Sequence, residues 1–212
     1  GRSDPSQGTR LSPLPALSAL LFDLDGTLVD SEGPGIDVIF EEAVRAGATL
    51  SREEAHRVFR GQRMADSVAW IGARLTHCPD DFAPRFTARV RQAQAQRFRA
   101  GLAPMPGALE LVRRLQLPHA VATNGPREKA ELTLGLTGLW PHFEGRLFCA
   151  YDVGSFKPDP GLFEHAARAL GVPARACGVV EDSVPGILAG LAAGMTVFSL
   201  LPEVQLPPAV QG

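Results

Sequence analysis

From Pro104 to Leu200 the chain alternates between short apolar runs and stretches of helical periodicity, and this alternation narrows the possible folds more than any other feature. His119 to Thr123, Leu147 to Ala150, Gly178 to Glu181 and Met195 to Leu200 read as strands. Leu109, Val112 and Leu115 share one helical face. Residues 127 to 136 read as a second helix, and Leu162, Phe163, Ala166 and Leu170 as a third. Leu188, Leu191 and Ala192 mark a fourth, with Gly171 and Gly194 closing the last two. Parallel neighbours in a sheet need a long crossover, and a helix supplies it, so the alternation implies a parallel sheet covered on both faces. Ala19 to Leu24 is one more buried-strand candidate, running into acidic residues and Gly26.

Between that first strand and Pro104 the pattern is helical throughout. Ile36, Ile39, Phe40, Ala43 and Val44 fall at helical spacing, and Gly47 ends the run. Ser51 with Glu54 has the form of a capping box. Val68, Ile71 and Leu75 suggest a third helix here, and Phe82, Phe86 and Val90 a fourth that continues to about Arg99. The expected fold class is therefore α/β: a doubly wound, Rossmann-like parallel sheet core with an inserted α-helical cap domain. The core takes residues 14–32 and 104–206, and the helical block residues 33–103. Residues 1–13 are polar and read as a loose tail or an appended scar, and the proline-rich end from Leu201 is expected to be extended or frayed.

Composition excludes several functional classes. A formal net charge of −2 gives no reason to expect nucleic acid as a partner. No apolar run approaches the roughly 20 residues of a membrane span. Cys78, Cys149 and Cys177 are an odd number at no metal-ligand spacing, which fits reduced thiols in a cytoplasmic protein. The five histidines form no ligand pattern with them. Neither Gly-x-Gly-x-x-Gly after a strand nor Gly-x-x-x-x-Gly-Lys occurs, so no nucleotide cofactor is indicated.

Ligands of an open parallel sheet bind beyond the carboxyl ends of its strands. Three of the expected strands end in reactive polar groups: Asp23 and Asp25, then Thr123-Asn124-Gly125, then Glu181-Asp182-Ser183. Lys157 lies in the loop after the third strand of the chain. The four groups are scattered in sequence, and the topology gathers them at one rim.

Asp23-Leu24-Asp25-Gly26-Thr27-Leu28-Val29-Asp30-Ser31-Glu32, Thr123-Asn124-Gly125, Lys157-Pro158-Asp159-Pro160 and Val180-Glu181-Asp182-Ser183 with Gly186 resemble, in order and spacing, the motifs of the haloacid-dehalogenase-like hydrolases. The resemblance covers about residues 18 to 200 and includes the inserted helical cap. It implies a phosphatase in which Asp23 is the nucleophile and Asp25 the general acid and base. It implies Mg2+ bound by the Asp23 carboxylate, the Asp25 backbone carbonyl and Asp182. Glu181 would either orient a metal-bound water or merely cap the following helix. Thr123 with the amides of Asn124 and Gly125 would hold the phosphoryl group, and Lys157 would neutralise it and Asp23. Asp30 reads as a hinge group, with Gly33-Pro34-Gly35 and Pro104-Met105-Pro106 as hinges.

The segment Arg60-Gly61-Gln62-Arg63-Met64 matches the substrate loop of the family's caps by position. Arg60, Gln62 and Arg63 are the candidate substrate residues; the two arginines either bind a second anionic group or are solvated helix-end charges. Arginines 85, 89, 91, 97 and 99 read as a solvated face. Thr123-Asn124-Gly125-Pro126, Lys129, Leu147-Phe148, Tyr151-Asp152 and Phe156 to Pro160 resemble the bacterial 6-phosphogluconate phosphatases and related sugar-phosphate phosphatases. A small phosphate ester, of a sugar or sugar acid, is the implied partner, and the chain is expected to be a monomer or weak homodimer. Phosphoryl transfer between sugar hydroxyls, as in the β-phosphoglucomutase members, is the alternative. Gly35 and Met64 stand where those members carry a histidine and an arginine, which favours hydrolysis. A catalytically silent phosphoester-binding protein is the remaining alternative, and it predicts a damaged site.

Overall fold

The computed structural model describes residues 16–202 and 205–210; the expected tail, 1–13, lies outside them. Its strands are β1 (Ala19–Phe22), β2 (His119–Thr123), β3 (Leu147–Cys149), β4 (Cys177–Glu181) and β5 (Thr196–Ser199). They form one parallel sheet in the order β3-β2-β1-β4-β5. Successive connections therefore run one way from β1 to β2 and β3, then the other way to β4 and β5. The reversal lies beside β1, where such sheets bind ligands.

Every residue of β2 is buried, as a strand covered on both faces requires. Alternation along β1 divides the sheet into two cores. Phe22 faces Val121, Leu134 and Phe143, beneath α5 (Ala108–Arg114), α6 (Arg127–Leu136) and α7 (Trp140–Phe143). Leu21 faces Ala122, Phe163 and Ala189, beneath α9 (Gly161–Leu170) and α10 (Val184–Ala192). The short α8 (Ala150–Val153) follows β3 directly. Neither α7 nor α8 was expected: four residues carry too little periodicity to show in a sequence.

Four helices lie between β1 and α5: α1 (Glu32–Arg45), α2 (Arg52–Phe59), α3 (Met64–Gly72) and α4 (Phe82–Ala100). They have their own core, in which Ile39, Phe59, Ile71, Phe86 and Val90 meet. Along α4 the buried residues are Phe82, Phe86, Val90, Gln94 and Phe98, a stripe repeating every fourth residue. Ser51 caps α2 as expected, its hydroxyl accepting the Glu54 amide at 3.1 Å, a contact worth about 1 kcal/mol.

The connections between the helical block and the sheet run side by side. Asp30 N donates to Ala103 O at 3.0 Å and Met105 N to Leu28 O at 2.8 Å. This places one crossing at residues 28–30, upstream of the expected Gly33-Pro34-Gly35 hinge. That tripeptide lies inside the first turn of α1, where Pro34 loses no hydrogen bond because the first helical amides have no intrahelical acceptor. The C-terminal Pro208–Val210 forms a 3-10 turn. Cys149 and Cys177 are buried, Cys78 is exposed, and all three are free. Among the described residues no helix is long and apolar enough to cross a membrane.

Candidate active site

Phe22 of β1 pairs with Val121 of β2 and Val180 of β4, so the residues that follow leave the sheet together at one rim. Asp23 N still donates to Val180 O, at 3.1 Å, which holds the Asp23 side chain at the mouth of the β1–β4 pair. The chain then turns sharply. Gly26 has a φ of +83°, and a Cβ there would overlap the Asp182 carboxylate. Only glycine meets both demands. The turn delivers Thr27, whose hydroxyl donates to Asp182 Oδ1 at 3.1 Å and lies 3.4 Å from Asp23 Oδ2; the shorter contact is the effective one.

Lys157 reaches into this rim from the loop after α8. It is 3% exposed. Its ammonium donates to Asp23 Oδ1 and to Ala122 O, both at 2.8 Å, and lies 3.5 Å from Glu181 Oε2. The loop is tied down by Asn124, whose side chain accepts Lys157 N at 2.9 Å and donates to Lys157 O at 3.2 Å. Burial disfavours both charges, but the mutual attraction of the Lys157–Asp23 pair wins. The Lys157 ammonium is held above its usual range and the Asp23 carboxyl below its own.

Glu181 is fully buried, and neither of its oxygens has a hydrogen-bond partner among the described residues. A Cβ at Gly186 would overlap its carboxylate, so glycine there makes the room for it. The expectation that Glu181 merely caps α10 fails on geometry, because Ser183 does so, accepting Gly186 N at 3.2 Å. Burial, then the Asp23 charge, pushes the Glu181 carboxyl far up. The same two causes push Asp182 up to about 9.

Three carboxylates crowded in this way repel one another unless a cation joins them. Asp23, Glu181 and Asp182 each offer an oxygen, and these oxygens lie within 4.8 Å of one another. All-oxygen ligation by few protein groups is what Mg2+ accepts, since it keeps several waters. The residues therefore fit a hard divalent cation, and the buried oxygens of Glu181, neither of them hydrogen-bonded among the described residues, are the observation that supports it. The Asp25 side chain stands outside the cluster.

Asp25 has different company. Ser31 Oγ donates to Asp25 Oδ1 at 2.6 Å, and Lys129 Nζ lies 3.6 Å from the same oxygen. Neither partner was expected at the site. Lys129 had a signal: it sits in the first turn of α6, which starts at the rim. Thr123 is buried, and its Oγ1 accepts the Gly125 amide at 3.1 Å. That amide is turned to Thr123 in this conformation, and Thr123 keeps its own proton to donate.

A cavity of about 150 Å³ joins the rim to the helical block. Asp23, Asp25, Thr123, Asn124, Gly125, Lys157 and Asp182 line it from the sheet side. Gln62, Arg63, Met64, Arg91, Gln94 and Gly35 line it from the helical side. Gln62 Oε1 accepts from Ser67 Oγ at 2.9 Å, and the Arg63 guanidinium lies 3.9 Å over the Phe156 ring. Of the three cap candidates, Arg60 does not line the cavity. It pairs with Glu32 at 2.8 Å instead. Glu32 is raised by burial, against the pull of Arg60. Arg91 corrects the expectation of a wholly solvated arginine face: it lines the cavity, 3.5 Å from Tyr151 Oη.

The chain is similar to known hydrolases. The model of the haloacid dehalogenase-like hydrolases matches residues 17–194. The chain is 34% identical over 198 residues to 6-phosphogluconate phosphatase of Escherichia coli, covering 92% of this chain and 87% of that one. It is 33% identical over 190 residues to hexitol phosphatase A of the same organism, covering 88% and 84%. A hydrolase structure from Deinococcus radiodurans, solved with phosphate and sodium bound, superposes with a TM-score of 0.68 at 34% identity, covering 90% and 83%.

Proposed function

The chain belongs to the haloacid dehalogenase-like hydrolases and is a phosphoric monoester hydrolase, and on that premise we propose that it acts on small sugar or sugar-acid phosphates through an aspartyl-phosphate on Asp23. The observation that carries this reading is the contrast between two neighbouring aspartates. Asp23 is hydrogen-bonded to the buried Lys157 ammonium and kept ionised, while Asp25 accepts from the Ser31 hydroxyl, with the partly exposed Lys129 ammonium 3.6 Å away. One fits a nucleophile and the other a proton carrier.

In the first half-reaction a carboxylate oxygen of Asp23 attacks phosphorus and the ester P–O bond breaks. Asp25, protonated, gives its proton to the leaving alcohol oxygen. In the second, Asp25 takes a proton from water as that water attacks the aspartyl-phosphate. Phosphate leaves and Asp23 is restored. Thr123 donates to a phosphoryl oxygen, and Lys157 balances the charge gathered at Asp23. Mg2+ held by Asp23, Asp182 and the Asp25 backbone carbonyl, with Glu181 behind them, would offset the repulsion between carboxylate and phosphate.

Helices α1–α4, proposed as a cap domain, would exclude water and select the leaving group. Arg63 and Arg91, which line the cavity, are the groups that would meet a carboxylate on the substrate. The relatives named for 6-phosphogluconate and hexitol phosphates support that substrate class. Phosphate release from p-nitrophenyl phosphate and from a panel of sugar and sugar-acid phosphates tests the reading. Turnover is expected with Mg2+, to be lost in EDTA, and to fall at least about a thousandfold in Asp23→Asn. An Asp23→Asn variant as active as the parent, or no release from any ester in the panel, overturns it.

A further inference from the structure

Gln94 stands out on α4 as the polar member of an otherwise apolar stripe, between Val90 and Phe98. It is 3% exposed. Its Nε2 donates to Gly35 O at 3.1 Å. Because a backbone carbonyl can only accept, this bond fixes which end of the amide is nitrogen and leaves Oε1 as an acceptor. That Oε1 is buried and has no hydrogen-bond partner among the described residues. Polar atoms this deeply buried are almost always paired, so an unpaired one on a cavity wall marks where a ligand donor belongs.

The place matters as much as the atom. Gln94 and Gly35 both line the cavity that contains Asp23 and Asp25. Gly35 lies one turn along α1 from Ser31, its amide donating to Ser31 O at 2.9 Å. Four residues of helix span about 6 Å. Ser31 in turn holds Asp25, the group read above as protonating the leaving alcohol. Asp25, Ser31, Gly35 and Gln94 all line this one cavity, so a carbon chain leading away from that alcohol shares it with Gln94. Gln94, which lines the cavity there, carries the amide oxygen that has no hydrogen-bond partner among the described residues.

We propose that Gln94 is a specificity-determining residue whose Oε1 accepts a hydroxyl hydrogen from the leaving-group carbon chain, so that the enzyme selects polyhydroxylated phosphomonoesters. This rests on the phosphatase reading of the cavity and extends it to a substrate class. An amide oxygen accepts from a hydroxyl and repels a carboxylate oxygen. Phosphoglycolate, which has a carboxylate in place of a hydroxyl, and unsubstituted alkyl phosphates are thereby disfavoured at this wall.

The test compares kcat/KM for sorbitol 6-phosphate, 6-phosphogluconate, hexyl phosphate, phosphoglycolate and p-nitrophenyl phosphate. The unaltered protein is expected to prefer the two polyhydroxylated esters over hexyl phosphate and phosphoglycolate by tenfold or more. In Gln94→Met the ratio of kcat/KM for sorbitol 6-phosphate to that for hexyl phosphate is expected to fall by tenfold or more, because the acceptor is gone while the volume remains. A loss of the Gly35 contact alone would lower all substrates together and leave the ratio within threefold, which overturns the proposal. If Gln94→Met does not fold, the unaltered protein decides: equal turnover of hexyl phosphate and sorbitol 6-phosphate overturns the proposal. Turnover of p-nitrophenyl phosphate separates the two readings. If that activity is present, a flat substrate profile counts against Gln94 alone. If no ester is hydrolysed, the phosphatase reading falls, and Gln94 with it.

Discussion

Replacing Lys157 by Met removes the one ammonium buried among Asp23, Glu181 and the Ala122 carbonyl, and the cost can be worked from its contacts. Two hydrogen bonds of 2.8 Å vanish, one to a carboxylate, and Glu181, fully buried, loses the cation 3.5 Å from it. Removing one partner of a buried pair costs about 3–5 kcal/mol, chiefly because the remaining charge stays desolvated. For a chain of this size each kcal/mol lowers Tm by about 2–4 °C, so Lys157→Met is expected to melt about 6–20 °C lower. The measurement is thermal unfolding by circular dichroism in EDTA, repeated with excess Mg2+. Cation binding at the carboxylates is expected to recover part of the loss. Adding Asp23→Asn to Lys157→Met is expected to recover stability in EDTA, since the orphaned charge is then removed. A Lys157→Met variant melting within 2 °C (about 1 kcal/mol or less) of the parent in EDTA would refute the buried-pair electrostatics, and so would a double variant no more stable than the single.

Two further substitutions probe the same rim. Ser31→Ala removes the 2.6 Å bond to Asp25; steady-state kinetics are expected to show kcat lowered about tenfold with KM little changed, a fraction of the 10²–10⁴ that a positioned acid and base contributes. Gly186→Ala gains up to about 1 kcal/mol of helix propensity but drives a methyl into the Glu181 carboxylate, an overpacking cost of about 1–3 kcal/mol. The clash outweighs the propensity, so Tm is expected to fall and Mg2+ affinity to weaken; a raised Tm would show that Glu181 moves aside freely.

The parts of this site that a sequence reveals are those a sheet imposes. A strand of period two in a parallel sheet has one carboxyl end, so Asp23, Thr123 and Asp182 had to meet once the strands were found. Lys157 joined them only through its motif, since nothing in a loop's periodicity says that its lysine turns inward. The helical side was harder to read. Arg60 and Glu32 are 28 residues apart and pair only because α1 and α2 pack together, which takes Arg60 from the cavity. Ser31 stands in the first motif with no role that its type alone would assign, although its hydroxyl is the group that holds Asp25. The stripe on α4 does carry a signal: Gln94, four residues after Val90 and eight after Phe86, interrupts an apolar seam, and such an interruption needs a partner.

The central claim is that Asp23 carries the phosphoryl group in transit. The most direct measurement mixes the protein with excess p-nitrophenyl phosphate and Mg2+, quenches in acid during turnover, reduces with borohydride and maps the peptides by mass spectrometry. Borohydride converts an aspartyl-phosphate to homoserine, and the modified residue is expected at position 23, with none in Asp23→Asn. Homoserine at position 25 instead, or rapid phosphate release with residue 23 unmodified throughout, would contradict it.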